Sequence, residues 1–479
     1  MLTHQAFTHS ITVRLRIENK VGMFARILAA IARARGDMGS VDLVSAHGQH
    51  KVRDLTINAR DEAHVMRIMK KIRKVSGVQV LHVSDRVFLL HIGGKLHIQN
   101  KVPITTRDAF SMAYVPGVTR ICSAIAQDKE KVKSLTIKQN SVAVVSDGTA
   151  ILGLGNIGPE GAMPALEGKA MLFKEFADID AYPIALRTQD TEEIIRTISL
   201  ISTGFGGINL EGISAPRCFE IEDRLERALE IPVFHDNQHA TSIVVLAAIL
   251  NALKVVGRTL RQSKIVVVGA GVAGVAITKL LLAAGARDIL VCDRGGIINK
   301  TRMPELSEVK RWLARNTNQS NRFGDLVHAA TGADILVCVS SPGTVPPTAL
   351  RKMARNAVVI ALATPDPDVA PDVATRCAKV VATSRSDFPN QISSVLAFPG
   401  VFRGALRARS REINEPMKLA AAHAIADCIT PAELSAEYII PSIFNAEVPR
   451  RVAQAVEAAA YKSGVAKRQV VAPVGSGSE

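Results

Sequence analysis

The run KIVVVGAGVAG at residues 264–274 constrains the fold more than any other stretch of this chain. Four β-branched residues in succession, Ile265 to Val268, suit a strand buried on both faces, as in a parallel sheet covered by helices. The glycines that follow stand in G-x-G-x-x-G register, and VAITKLLLAAG beyond them reads as a helix. In that arrangement Gly269 permits the tight turn, Gly271 lets the backbone approach a pyrophosphate, and Gly274 allows close helix-to-strand packing. The helix start supplies unpaired N–H groups for the phosphates. A second strand, DILVC, leads to Asp293, about 20 residues past Gly274, where a carboxylate accepts bonds from the adenosine ribose. The reading is a Rossmann-type domain that binds NAD or NADP. Asp293 favours NAD, while Arg294 beside it offers a partner to the phosphate of NADP.

The chain has 479 residues, 47% of them hydrophobic and 22% charged, enough for roughly three globular domains at about 150 residues each. Its net charge is +15, but the basic residues are spread out, with local clusters such as KKIRK at residues 70–74 and RGALRARSR at 403–411. With aromatics at only 4%, stacking platforms for bases are scarce, so nucleic-acid binding is not expected. No run of about 20 apolar residues stands out as a membrane span, and the first twenty residues have no secretory h-region. The expectation is a cytoplasmic protein without a membrane partner. Six scattered cysteines without C-x-x-C spacing suit small buried residues better than zinc ligands or disulfides.

The fold class expected is α/β, in three parts and a tail. Residues 1–90 contain strand and helix patterns in the order βαββαβ, a ferredoxin-like unit. Its loop NKVGM, residues 19–23, resembles the ligand loop of ACT domains, with Asn19 and Val21 where that family has an acidic residue and a proline. A regulatory or dimerisation role follows from that resemblance. A glycine pair in HIGGKLHIQNKVP marks the next boundary. Residues 91–260 alternate helices and strands, 261–463 hold the dinucleotide domain, and 464–479 lose periodicity and read as a flexible tail.

Several segments together resemble bacterial NAD(P)-dependent malic enzymes: TRDAFSMAYVPGV (106–118), the stretch SVAVVSDG to FKEF (141–176), LEGISAPRCFEIE (210–222), FHDNQHAT (234–241) and NQISSVLAFPG (390–400). The resemblance spans residues 91 to 460 and implies a malic-enzyme N-terminal domain ahead of the Rossmann domain. It implies oxidation and decarboxylation of malate, or a related 2-hydroxy acid, to a keto acid and CO2. Tyr114 becomes the acid that protonates the enolate carbon, and Lys169 the base for the hydroxyl proton. A lysine in a partly apolar pocket is expected to titrate low. The family's Mg²⁺ or Mn²⁺ is held by three carboxylates, of which Glu211 remains. Gly212 and Asn237 replace the others, and Asp236 is a further possible ligand. Thr364, Ser393 and Ser394 stand where the family has amides around the substrate. His235 and His239, spaced i, i+4, are not expected to be ligands. A homodimer or larger homo-oligomer is expected. Two alternatives stand beside this reading: a paralogue that binds the dinucleotide without malate turnover, and metal-free action of Lys169 on a substrate that is already a keto acid.

Overall fold

The computed structural model describes residues 9–364 and 367–467. Pro365 and most of the expected tail, residues 468–479, lie outside the described residues. The chain divides into two compact units, Met1–His97 and Ile98–Glu479.

The first unit is the expected βαββαβ fold. Strands β1 (His9–Glu18), β2 (Asp37–His47), β3 (His50–Ala59) and β4 (Val78–Asp85) form an antiparallel sheet in the order β2-β3-β1-β4. Along β1 the residues Ile11, Val13, Leu15 and Ile17 are buried while those between them are less so, the period of two that places one face on a core. Helices α1 (Met23–Arg33) and α2 (Glu62–Ile72) supply Ile27, Ile31, Ile68 and Ile72 to that core. The last strand is shorter than its apolar pattern suggests. Asp85 accepts bonds from the N–H groups of Val87 and Phe88 and starts a helix, Arg86–His91, in place of further strand.

The second unit carries two parallel sheets. One, in the order β6-β5-β7-β8, is built from β5 (Ser141–Ser146), β6 (Asp180–Ala185), β7 (Gly207–Leu210) and β8 (Val233–His235). The other has the order β11-β10-β9-β12-β13-β14, from β9 (Lys264–Val268), β10 (Asp288–Asp293), β11 (Gly296–Ile297), β12 (Ile335–Cys338), β13 (Val358–Ala361) and β14 (Val380–Thr383). Only the short β11 pairs antiparallel. β9 is buried from Ile265 to Val268 and lies at the centre, as its β-branched run requires.

One continuous core joins both sheets. It runs from Val142 and Phe173 beside the first sheet through Val244 and Leu246 to Ile265 and Val337 in the second. The helix Asp236–Val256 forms the middle of this core, and 14 of its 21 residues are buried. This helix corrects the expectation about apolar runs, because it is long and apolar enough to cross a membrane by length and composition. Its burial explains the composition: a helix packed on all sides has no polar stripe.

Candidate functional site

Ligand sites in parallel α/β sheets form beyond the carboxyl ends of the strands, and here those ends deliver acidic side chains. Glu211 follows β7 directly, and Asp236 follows β8 and opens the central helix. Lys169 reaches them from the helix Gly158–Ala177. Its Nζ lies 2.8 Å from Asp236 Oδ2 and 3.2 Å from Glu211 Oε2. The same ammonium sits 4.1 Å from the centroid of the Phe398 ring, which closes the pocket with a desolvated cation–π contact. Phe173, Phe402 and Phe234 pack edge to face behind it, fixing the wall on which Lys169 rests.

The Lys169 pKa does not fall as the apolar surroundings suggest. Burial disfavours its charge, but Asp236 and Glu211 outweigh burial and hold it above the ordinary value. Glu211 is pushed up chiefly by burial and is pulled back by Lys169. Asn209 donates to Glu211 Oε2 at 3.2 Å. Two buried acceptors in this cluster, Asp236 Oδ1 and Asn209 Oδ1, have no hydrogen-bond partner among the described residues.

Gly212 and Asn237 follow Glu211 and Asp236 directly in the chain, and the glycine is buried. Gly212 adopts φ +59°, and a Cβ there would come within 2.5 Å of Ile151 Cδ1 and 3.1 Å of the Ala150 carbonyl oxygen. Asn237 is exposed, and its Oδ1 accepts from the Gly212 N–H at 3.4 Å. Among the described residues no three His, Cys, Asp or Glu side chains converge on one point. What converges is a carboxylate pair with an amide oxygen beside it. Thr364 is exposed, and Ser393 and Ser394 are partly buried.

Tyr114 is not brought to Lys169 within one chain. It caps the helix Arg107–Ala113, is 61% exposed, and touches the Phe110 ring at 5.9 Å between centroids. The reason is local: the helix pair of residues 107–113 and 117–127 contributes no buried residue to the fold of its own chain.

His239 is held by structure below the site. Its Nε2 lies 2.9 Å from Glu222 Oε1, and Glu222 also accepts from the Gln238 amide and the His235 N–H, each at 2.6 Å. Burial would raise the Glu222 pKa, but the charge and hydrogen bond of His239, with the charges of His235 and Lys418, bring it down to about 2. One turn on, Glu226 has no such set. Burial, with the Glu222 charge adding to it, pushes its pKa up to about 7. Nothing in the sequence marked Glu222, Asn209 or the Arg217–Asp147 pair (2.8 Å) as site supports. Asn209 and Asp147 lie on or next to strand ends, whereas Glu222 and Arg217 come from the helix Arg217–Ala228.

In the dinucleotide region the three glycines do what their spacing implies. Gly269 has φ +110°. A Cβ at Gly274 would lie 1.8 Å from the Gly269 carbonyl oxygen, whereas one at Gly271 would meet nothing within 4 Å. The open side at Gly271 is where a pyrophosphate can approach. Asp293 ends β10 with both oxygens in use: Arg302 at 2.9 Å, Lys310 at 2.7 Å, and the Gly295 N–H at 2.9 Å. Burial would raise its pKa, but these partners win and lower it. Arg302 and Lys310, not the neighbouring Arg294, are the cations at this carboxylate.

Residues 93–226 match the family described as malic enzyme, N-terminal domain, residues 239–461 match malic enzyme, NAD binding domain, and residues 5–82 match the ACT domain. The chain is 53% identical over 468 residues to the NAD-dependent malic enzyme of Geobacillus stearothermophilus, covering 97% of each. It is 44% identical to the NADP-dependent malic enzyme of Halomonas elongata, covering 79% of this chain and 92% of that one. The crystal structure of the NAD-dependent malic enzyme from Thermotoga maritima matches with 45% identity and a TM-score of 0.75, covering 78% of this chain and 99% of that one.

Glu226 yields a test of the electrostatics beneath the site. A carboxyl whose folded pKa is raised binds its proton more tightly when folded, so its contribution is complete below about pH 4.5 and is lost as pH rises through about 7. The loss is of order 3 kcal/mol. Glu226→Gln should therefore gain melting temperature relative to the parent at pH 8 and gain much less at pH 5. Equal differences at both pH values would count against this assignment.

Proposed function

This chain belongs to the malic enzyme family, and on that premise we propose that the Lys169 cluster is where it oxidises and decarboxylates malate to pyruvate and CO2 with reduction of a nicotinamide dinucleotide. The observation that carries the site assignment is Lys169 held between Glu211 and Asp236 at two strand ends. The Lys169 ammonium passes a proton to Asp236, 2.8 Å away, as it takes the proton of the C2 hydroxyl, while the C2 hydride would leave for a bound nicotinamide. Loss of CO2 from the resulting keto acid leaves an enolate, and a proton delivered to its carbon gives pyruvate. Asp236 positions the amine, and Phe398 excludes water from one side.

The donor set fits a hard divalent cation. Glu211, the unpartnered Asp236 Oδ1 and the Asn237 amide oxygen are oxygen ligands, and Mg²⁺ commonly takes only one or two protein carboxylates. When bound, such an ion stabilises negative charge on the substrate oxygens. Asn237 supplies a weaker ligand than a carboxylate, and Gly212 supplies none.

For the cofactor we propose NAD over NADP. Asp293 stays ionised at neutral pH and stands where a 2′-phosphate would lie, though Arg302 and Lys310 temper the repulsion. Purified protein with malate should reduce NAD⁺ faster than NADP⁺, lose that activity in EDTA, and regain it with Mn²⁺. Binding of NAD⁺ without any turnover would instead support a non-catalytic paralogue, and EDTA-insensitive turnover would remove the metal from the account.

The proton for the enolate carbon is assigned to Tyr114, supplied by a second copy of the chain. Its helix pair exposes Met112, Tyr114 and Val115 together with Phe110, an apolar surface that a monomer would leave wet. A homodimer that buries this arm gives each site the phenol of its partner. Tyr114→Phe and Lys169→Ala should each be inactive alone. Mixed after partial dissociation, they should recover up to about a quarter of the parental rate, the statistical yield of a twofold dimer with one intact site per heterodimer. No recovery despite demonstrated subunit exchange would contradict the assignment.

A further inference from the structure

The KKIRK cluster of the first unit takes no part in the malate chemistry, yet it forms one wall of a cavity of about 650 Å³. The cavity is lined by Arg33 and Arg35 at the end of α1, Arg60 past the end of β3, and Arg67, Lys70, Lys71 and Lys74 along and just beyond α2. Ala34 completes the lining, and no carboxylate belongs to it. The α2 residues are spaced i, i+3, i+4 and i+7, so one helical face is wholly cationic. Like charges at that spacing repel and destabilise the helix on which they sit. Among the described residues Arg33, Arg35, Arg67, Lys70, Lys71 and Lys74 make no ion pair with any Asp or Glu, although elsewhere in the chain arginines and lysines pair repeatedly.

The floor of this cavity is fixed from below. His64 is fully buried, with Nε2 2.8 Å from the Ala34 carbonyl oxygen and Nδ1 accepting from the Arg60 N–H at 3.1 Å. One imidazole thus ties the end of α1 to the start of α2. Gly36 reinforces the closeness, because a Cβ there would lie 2.9 Å from both Ile31 and Ile68. The cations therefore stand on a framework that cannot spread to relieve their repulsion.

We propose that this cavity binds a small metabolite carrying two or more phosphate groups. Several guanidinium forks with ammonium groups beside them match the geometry and charge of a polyphosphate. The volume falls in the range of small-ligand sites. No aromatic side chain lines the cavity, so recognition rests on phosphates and not on stacking of a base. The site differs from the NKVGM loop, since that loop precedes α1 and the cavity follows it, about 16 Å away along an 11-residue helix.

Calorimetry on the full chain, with NAD⁺ saturating so that the glycine turn is filled, tests this with sodium tripolyphosphate as the probe. We expect saturable one-to-one binding that weakens as salt rises. Arg67→Glu combined with Lys71→Glu should weaken it at least about tenfold, as expected when phosphate partners are reversed in charge. Lys70→Ser with Lys74→Ser should weaken it as well without a charge reversal, and Lys20→Glu, outside the cavity, should leave it unchanged. Absence of saturable binding, binding indifferent to both double variants, or binding of a single-stranded DNA 20-mer in place of tripolyphosphate would each overturn the proposal. The readout is binding, so it stands apart from any outcome of the malate assays.

Discussion

A buried ammonium between two carboxylates organises the second unit. Taking three charges out of water is costly, and the cost is met only if geometry keeps them together. Here the positions are enforced by secondary structure: Glu211 and Asp236 are fixed by the ends of adjacent parallel strands, and Lys169 by a 20-residue helix packed on the same sheet. The aromatic wall of Phe173, Phe234, Phe398 and Phe402 gives the lysine stem an apolar seat. Removing one member of such a cluster leaves the others unpaired in a dry site, so the three behave as a unit. The same arrangement leaves Asp236 Oδ1 free for a further partner.

The two halves of the second unit share one core, which takes in both the sheet that carries Glu211 and Asp236 and the strand before the glycine turn. The central helix Asp236–Val256 begins at the carboxylate that holds Lys169, and it packs along the helix that follows the glycines. Gly212 and Asn237 flank this cluster, one next to Glu211 and the other next to Asp236. With φ +59° and Ile151 close by, Gly212 now sits in a backbone geometry that resists a side chain. Asn237 accepts a hydrogen bond from that same glycine.

The fold was legible because its signals are periodic. Alternation along β1, the continuous apolar run of β9 and the glycine register each require one local structure. Site chemistry was legible only in part. Lys169, Glu211 and Asp236 lie in recognisable segments and do meet, but their electrostatics depend on distances that no spacing encodes, which is why the lysine was expected low and is held high. Tyr114 was legible as a residue and not as a location, since helices that bury no residue in their own chain carry no core-facing pattern to place it. Asp293 was read as a ribose acceptor with Arg294 beside it, whereas Arg302 and Lys310 approach it from 9 and 17 residues downstream. Glu222 and His64 left no mark because a buried polar residue is recognised by its partners and not by its neighbours in sequence.

The central claim is that Asp236 and Lys169 act together as the base of a malate-oxidising site. The most direct measurement is kcat for malate-dependent reduction of NAD⁺ by Asp236→Asn, alongside its affinity for NAD⁺. kcat should fall by about 10²–10⁴, the range for loss of a positioned acid or base, while NAD⁺ affinity holds. A kcat within about twofold of the parent would contradict it, because a group that works as a unit with the lysine cannot be neutralised without effect.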